Sequence, residues 1–208
     1  MIKKWRYSSL ISCPSIVILG EFKYRDTYGY VLLPLVYPRV NIGVRNGKLE
    51  VISRISNSFL GEIVEKVCKN ILCSQNYVST DFLENVVYKT MFYGGYIVYL
   101  KTGNEAIPLT IELINTDKYK FYYRHVDGNK QTNASLEDWI VFGSSLRTGF
   151  EETMLSICRD IGSVEENKCF LKTLMGELII TTKIINTVEF HRVVPDNSPM
   201  RYVIKYEK

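Results

Sequence analysis

Residues 50–71 (EVISRISNSFLGEIVEKVCKNI) and residues 140–161 (IVFGSSLRTGFEETMLSICRDI) lie ninety positions apart and follow one plan. Laid over each other, Val51 meets Val141, Leu60 meets Phe150, Val64 meets Met154 and Val67 meets Ile157. Cys68 then meets Cys158, Lys69 meets Arg159 and Ile71 meets Ile161. Each copy reads as a short apolar strand, a polar turn and an amphipathic helix. Self-similarity at a fixed offset constrains architecture more than any single motif does. It predicts an α+β chain of two tandem similar modules, each an antiparallel-type sheet packed against one main helix. The boundaries it implies are residues 1–78 for a first module with a basic N-terminal arm, 79–162 for the duplicated module, and 163–208 for a divergent C-terminal extension.

A chain of 208 residues can bury one core or two smaller ones. No apolar run approaches the ~20 residues that span a bilayer, so no membrane partner is expected. The first twenty residues have the basic start of a short targeting sequence, but their apolar part is brief and is broken by Ser12, Cys13 and Pro14. The five cysteines (Cys13, Cys68, Cys73, Cys158, Cys169) form no CxxC pair and have no His at ligand spacing. An odd, scattered set predicts neither a disulfide framework nor zinc. Cys68 and Cys158 fall at core-facing helix positions, where a thiol acts as a small hydrophobe, and a reducing interior compartment follows. Alanine occurs only at 106 and 134, while Tyr, Ile, Lys and Asn are plentiful; such a bias fits an AT-rich coding genome, an organelle's or a phage's. Charge is uneven. Residues 1–57 hold nine Lys/Arg against three acids, and residues 81–162 hold eight against eleven. A basic front end beside a near-neutral body suits a surface that meets an anion at one place.

Along the chain, residues 16–19 (IVIL) read as a strand and Tyr28-Gly29-Tyr30 as its turn. Pro34 makes residues 31–36 an edge strand or a bent one. Val40, Ile42 and Val44 alternate with polar residues, and Asn46-Gly47 closes a hairpin because both tolerate positive φ. Asn57 or Ser58 is a cap for a helix bearing Leu60, Ile63, Val64, Val67, Cys68 and Ile71 on one face. Ser79 or Thr80 caps a shorter helix with Phe82, Leu83, Val86 and Val87 on one side. Residues 96–100, 109–113 and 119–123 read as strands, with turns at Thr102-Gly103-Asn104 and Asp127-Gly128-Asn129. Residues 139–142 read as the strand that repeats 49–52, and the second long helix as 149–161. In the tail, residues 171–180 show both helical and strand spacing, 188–194 and 202–206 look like strands, and Pro195 and Pro199 flank an Asp-Asn-Ser loop.

Catalytic patterns are missing from the sequence. His125 and His191 are the only histidines, and there is no GxSxG, P-loop or GxGxxG. Glu151-Glu152 opens a helix, where acids suit the dipole. No residue set meets the nucleophile, base and oxyanion requirements, so no enzyme activity, cofactor or metal is expected. The most unusual local feature is Phe92-Tyr93-Gly94-Gly95-Tyr96. The two glycines permit positive φ or close backbone approach. That serves either a tight helix-to-strand turn or contact with a partner's backbone, with Tyr93 or Tyr96 stacking on a base.

The order of these features resembles the L-six family, the sixth protein of the bacterial-type large ribosomal subunit. The family's glycine hairpin, alternating strand, hairpin turn and "LxVxR" strand are similar to residues 24–31, 40–44, Asn46-Gly47 and 49–54. Its first long helix is similar to residues 59–71, its "GxGYR" turn to Tyr93-Gly94-Gly95-Tyr96, and its "LxLxxGxSH" strand to residues 109–116 without the Gly and His. Its "GxDKxxVGxxAAxIR" segment is similar to residues 140–159, with Gly143, Arg147, Phe150 and Arg159 in corresponding places. The family's Pro- and Lys/Gly-rich loop ("PEPYKGKG") is replaced by VEENKCFLKTL, and Met200-Arg201-Tyr202 is similar to its "GIRY".

The resemblance implies a monomeric structural constituent of the large ribosomal subunit, in a mitochondrial matrix ribosome. Its partners would be large-subunit ribosomal RNA, near the region where translation factors dock, and neighbouring ribosomal proteins. Contacts to phosphate would come from Arg147 and Arg159, then Lys168, Lys172 and Arg201, with Lys3, Lys4 and Arg6 in a terminal arm and Gly94 and Gly95 at the turn. The alternative reading is a phage structural protein of the portal or connector type.

Overall fold

The computed structural model describes residues 9–54, 59–73, 79, 81–126, 134–174 and 176–198, together with the backbone of 201–203. The helix caps expected at Asn57, Ser58 or Thr80, the turn at 127–129 and the arm cations Lys3, Lys4 and Arg6 lie outside the described residues. In chain order come β1 (Ser9–Tyr24), β2 (Thr27–Arg45), β3 (Lys48–Ser53), α1 (Phe59–Cys73), α2 (Phe82–Tyr93), β4 (Tyr96–Thr102) and β5 (Glu105–Glu112). Then follow β6 (Lys120–His125), α3 (Leu136–Thr148), α4 (Glu151–Ile161), β7 (Ser163–Glu165), β8 (Lys168–Thr173), β9 (Gly176–Thr181), β10 (His191–Val193) and β11 (Arg201–Val203). They make an α+β fold of two antiparallel sheets. One has the order β11-β1-β2-β4-β5, with β3 also on β2, and the other β10-β6-β9-β8-β7.

The long β1–β2 hairpin is buried on both faces, which is why it reads as a near-continuous apolar run. Ile11, Cys13, Ile16 and Ile18 face α1 and α2 in one core. Val17, Leu19 and Phe22 face the other way, into a core shared by α3, α4 and the five-stranded sheet. Gly20 lets Trp139 of α3 lie across β1, since a Cβ there would sit 2.0 Å from the indole Cζ2. Asn46 and Gly47 take φ of 50° and 73° and close the β2–β3 hairpin as expected. The turn expected at residues 28–30 instead falls at Arg25 and Asp26, and Gly29 sits inside β2 against Tyr99 O and Phe22. Pro34 stands beyond Leu32, where pairing with β4 ends, so its missing N–H costs no bond to that strand. The cap of α2 is Asp81, whose side chain accepts from Glu84 N.

The strand expected at residues 139–142 is a helix. Ser135 and Asp138 form a reciprocal capping box, and Glu137 and Asp138 place negative charge in the first turn of α3. Burial follows the helical period: Trp139, Phe142 and Leu146 are fully buried, whereas Ile140 and Val141 are exposed. Residues 50–53 are an edge strand and residues 140–143 a helix, so the two copies differ in their first part. The correspondence survives in the helices. Val64, Cys68 and Ile71 of α1 and Met154, Cys158 and Ile161 of α4 are all buried, while Leu60 is buried and Phe150 exposed.

The expected boundaries do not coincide with the sheets. β4 and β5 extend the first sheet from β2, and residues 163–193 supply four of the five strands of the second. The stretch 171–180, ambiguous in sequence, is the β8–β9 hairpin. The expectation of free thiols is also corrected. Cys13 of β1 bonds to Cys68 of α1, and Cys158 of α4 bonds to Cys169 of β8, with Cα separations of 6.4 and 5.7 Å. Only Cys73 remains free. The sequence places each helix cysteine in a core correctly but does not show that a strand cysteine faces it.

Candidate functional site

The site begins with a break in strand register. β1 and β2 pair as Ile16↔Pro34 and Ser15↔Leu35, and then Pro14 pairs with Arg39. Residues 36–38 are therefore extra on β2 and bulge outward, which leaves Tyr37 73% exposed. The segment after β10 runs alongside this bulge. Val36 N donates to Val194 O and Asp196 N to Pro34 O, both at 2.8 Å. Asn197 then fixes the segment to the chain just past β5: its Oδ1 accepts from Ile114 N at 3.0 Å and its Nδ2 donates to Ile114 O at 2.8 Å.

Gly94 and Gly95 hold the same segment from the far side. Gly95 N donates to Asp196 O at 2.7 Å. Both glycines have positive φ, 68° and 74°. A Cβ on Gly94 would meet the backbone of Asp196, Asn197 and Ser198 at 3.0 Å, and one on Gly95 would meet Glu112 O at 2.6 Å. The close backbone approach read from the sequence is thus made to this chain's own loop. Both glycines, expected at a turn that meets RNA, are buried against this loop.

Between the bulge and the loop lies an ion pair. Arg39 NH1 donates to Asp196 Oδ2 at 2.9 Å, with side-chain exposures of 17% and 9%. The guanidinium also donates from Nε to Ser12 Oγ at 2.9 Å and from NH2 to Ser12 O at 3.1 Å. Asp196 Oδ1 accepts from Ser198 N at 3.0 Å. Two guanidinium N–H groups remain unspent by these bonds. Together these residues line a half-open cavity of about 500 Å³, with Tyr37 at its lip and Thr116 and Ser198 on its wall. No nucleophile paired with a base lines it. His125 and His191 lie on β6 and β10 of the other sheet, and the described residues contain no cluster that could hold a metal ion.

Among the described residues, the cations expected to meet RNA do not converge. Arg147, at the end of α3, pairs with Glu112 at 2.8 Å. Lys168 pairs with Glu166 at 2.7 Å, and that hydrogen bond and charge hold the Glu166 carboxyl below its usual range. Lys168 and Lys172 alternate with buried Cys169 and Leu171 along β8, so they point away from α4. Arg159 is exposed on α4 itself, on the other side of that sheet. The backbone of Arg201 pairs with Ser12, and its side chain lies outside the described residues.

Sequence reading missed Ser12, Tyr37, Arg39, Thr116, Asp196 and Asn197 as members of one site. Two local signals were present: a cation amid the apolar run of β2, and an Asp-Asn-Ser loop between prolines. Their partnership spans 157 positions, and no local pattern carries that.

No family model matches the chain, and no curated protein matches it. Among solved structures it is similar to a candidate sugar kinase from Campylobacter jejuni, at 8% identity and a TM-score of 0.48, over 96% of this chain and 99% of that one. A likeness of that degree carries no argument about function. Among the described residues, no helix is long and apolar enough to cross a membrane.

Proposed function

We propose that this chain is a recognition domain that works by binding, without bond-making chemistry of its own, and that it binds through the Arg39–Asp196 cleft. The observation that carries the reading is a polar cavity whose walls are fixed from four directions. β1, the β2 bulge, the glycine turn and residue Ile114 all hold it. A site so constrained has little conformational freedom left to lose when it is occupied. The hydroxyls of Thr116, Ser198 and Tyr37 make no bond as donors or acceptors within the described structure, so they stand ready for a ligand.

Two buried disulfides support an oxidising compartment for this protein over the mitochondrial matrix. The ribosomal reading would need a shared cationic surface, and among the described residues the expected cations are paired with carboxylates or lie on opposite sides of a sheet.

The experiment is amide chemical-shift mapping of the full chain against a mixed set of small polar, apolar and charged fragments. Shifts clustered at residues 35–39, 116 and 194–198 support the proposal. A folded chain whose fragment shifts all cluster elsewhere, or that shows none, contradicts it.

A further inference from the structure

We infer, resting on the recognition reading above, that the cleft takes an uncharged, hydroxyl-rich ring, a neutral sugar unit. The first argument is charge. Arg39 is already balanced by Asp196 at 2.9 Å. A phosphate or carboxylate placed there would meet the Asp196 carboxylate with no surplus cation among the described lining residues, and an ammonium would meet the guanidinium. Either would lose hydration without an unshared counter-charge.

The second argument is the pattern of free groups. Two guanidinium N–H groups can only donate. The unspent lone pairs of Asp196 can only accept. Thr116, Ser198 and the Ser12 hydroxyl proton add groups of both kinds. Donors and acceptors interleaved within one small wall match ligand hydroxyls, each of which does both. They match poorly an anion, which only accepts.

The third argument is shape. The cavity of about 500 Å³ falls within the roughly 300–1,000 Å³ range of small-molecule sites. At its lip Tyr37 stands 73% exposed on the bulge. An aromatic face beside a polar wall gives a pyranose ring's C–H side a surface to lie on while its hydroxyls face the wall.

The test is saturation-transfer NMR and calorimetric titration of the full chain. The probes are the methyl glycosides of glucose, galactose, mannose and N-acetylglucosamine, with glucuronate, glucosamine and inorganic phosphate beside them. The expected result is transfer to ring protons of at least one neutral glycoside, with the charged probes weaker. Tyr37→Ala and Thr116→Val should each weaken binding by roughly 3- to 10-fold. Tyr37 is exposed and Thr116 half-buried, so circular dichroism should show both variants folded. Tighter binding of glucuronate, glucosamine or phosphate would overturn the inference, as would binding unchanged in both variants or no binding of any neutral glycoside. Uncharged non-sugar fragments that shift residues 35–39 and 194–198 while every glycoside fails would sink the sugar class and leave the recognition reading standing.

Discussion

Replacing Asp196 by Asn keeps the shape of the cleft and removes one charge. The amide oxygen can still accept from Ser198 N, so the local turn survives. What is lost is the charged partner of Arg39, whose guanidinium then keeps only its two bonds to Ser12. A hydrogen bond to a charged group contributes about 1.5–3 kcal/mol, and breaking a fully buried pair costs about 3–5 kcal/mol. At 17% and 9% exposure the pair is mostly but not wholly desolvated, which places the loss at about 2 kcal/mol. For a chain of this size that is a fall in melting temperature of roughly 4–8 °C. Urea unfolding followed by circular dichroism measures it directly. Moderate salt should change the difference between wild type and variant little, because a desolvated pair is screened weakly. The double variant Arg39→Met, Asp196→Leu should recover most of the loss, since a well-packed apolar pair can replace a buried ionic one. A change for Asp196→Asn within about 0.5 kcal/mol, the range of ordinary surface substitutions, would refute the claim that this pair holds the cleft.

Thiol labelling of the folded, unreduced chain followed by mass measurement should find one reactive cysteine, Cys73; labelling of all five would contradict both disulfides. Closing loops of 55 and 11 residues stabilises by about 4 and about 3 kcal/mol in the chain-entropy account, so Cys13→Ser should lower the urea midpoint more than Cys169→Ser. Gly95→Ala should destabilise by about 2 kcal/mol or more, because it combines a positive φ with close contact to the Glu112 backbone; thermal melting no different from wild type would show that the glycine turn is not packed against the end of β5. Burial, with the Glu21 and Tyr28 charges adding to it, pushes Tyr30 up to about 12, and burial with the Glu151 charge does the same for Tyr119. Tyr96 and Tyr99 are also raised, chiefly by burial. These phenols lose protons more readily in the unfolded chain, so their contribution is intact below about pH 10 and is lost as pH climbs through about 12. Phenolate absorbance and loss of circular dichroism should then rise together in an alkaline titration; buried phenols ionising in a chain that stays folded would contradict it.

Much of the fold was legible where physical periods are strong. The β1–β2 apolar runs, the Asn46-Gly47 hairpin, the α1 stripe and the Thr102-Gly103-Asn104 turn all reflect local rules that tertiary contacts did not override. Residues 139–142 misled because four consecutive apolar residues carry no period of their own. The deciding signals lay just outside them, in the Ser135/Asp138 capping box and in Leu146. The repeat was partly real for a physical reason: each helix presents a buried stripe that includes a cysteine, and each cysteine meets a strand. The site was illegible because it is assembled from β1, β2, the α2–β4 turn and the loop after β10, whose members are separated by tens to more than a hundred positions. Gly94-Gly95 did announce a close backbone approach. The sequence could not say that the approaching backbone belonged to residues 196–198.

The most direct test of the central claim is a structure of the full chain soaked or titrated with the fragment that gives the largest amide shifts. The account expects that molecule between Tyr37 and Asp196, hydrogen-bonded to Arg39, Thr116 or Ser198. A ligand seated on any other surface, with the Arg39–Asp196 cleft unchanged and unshifted, would contradict it.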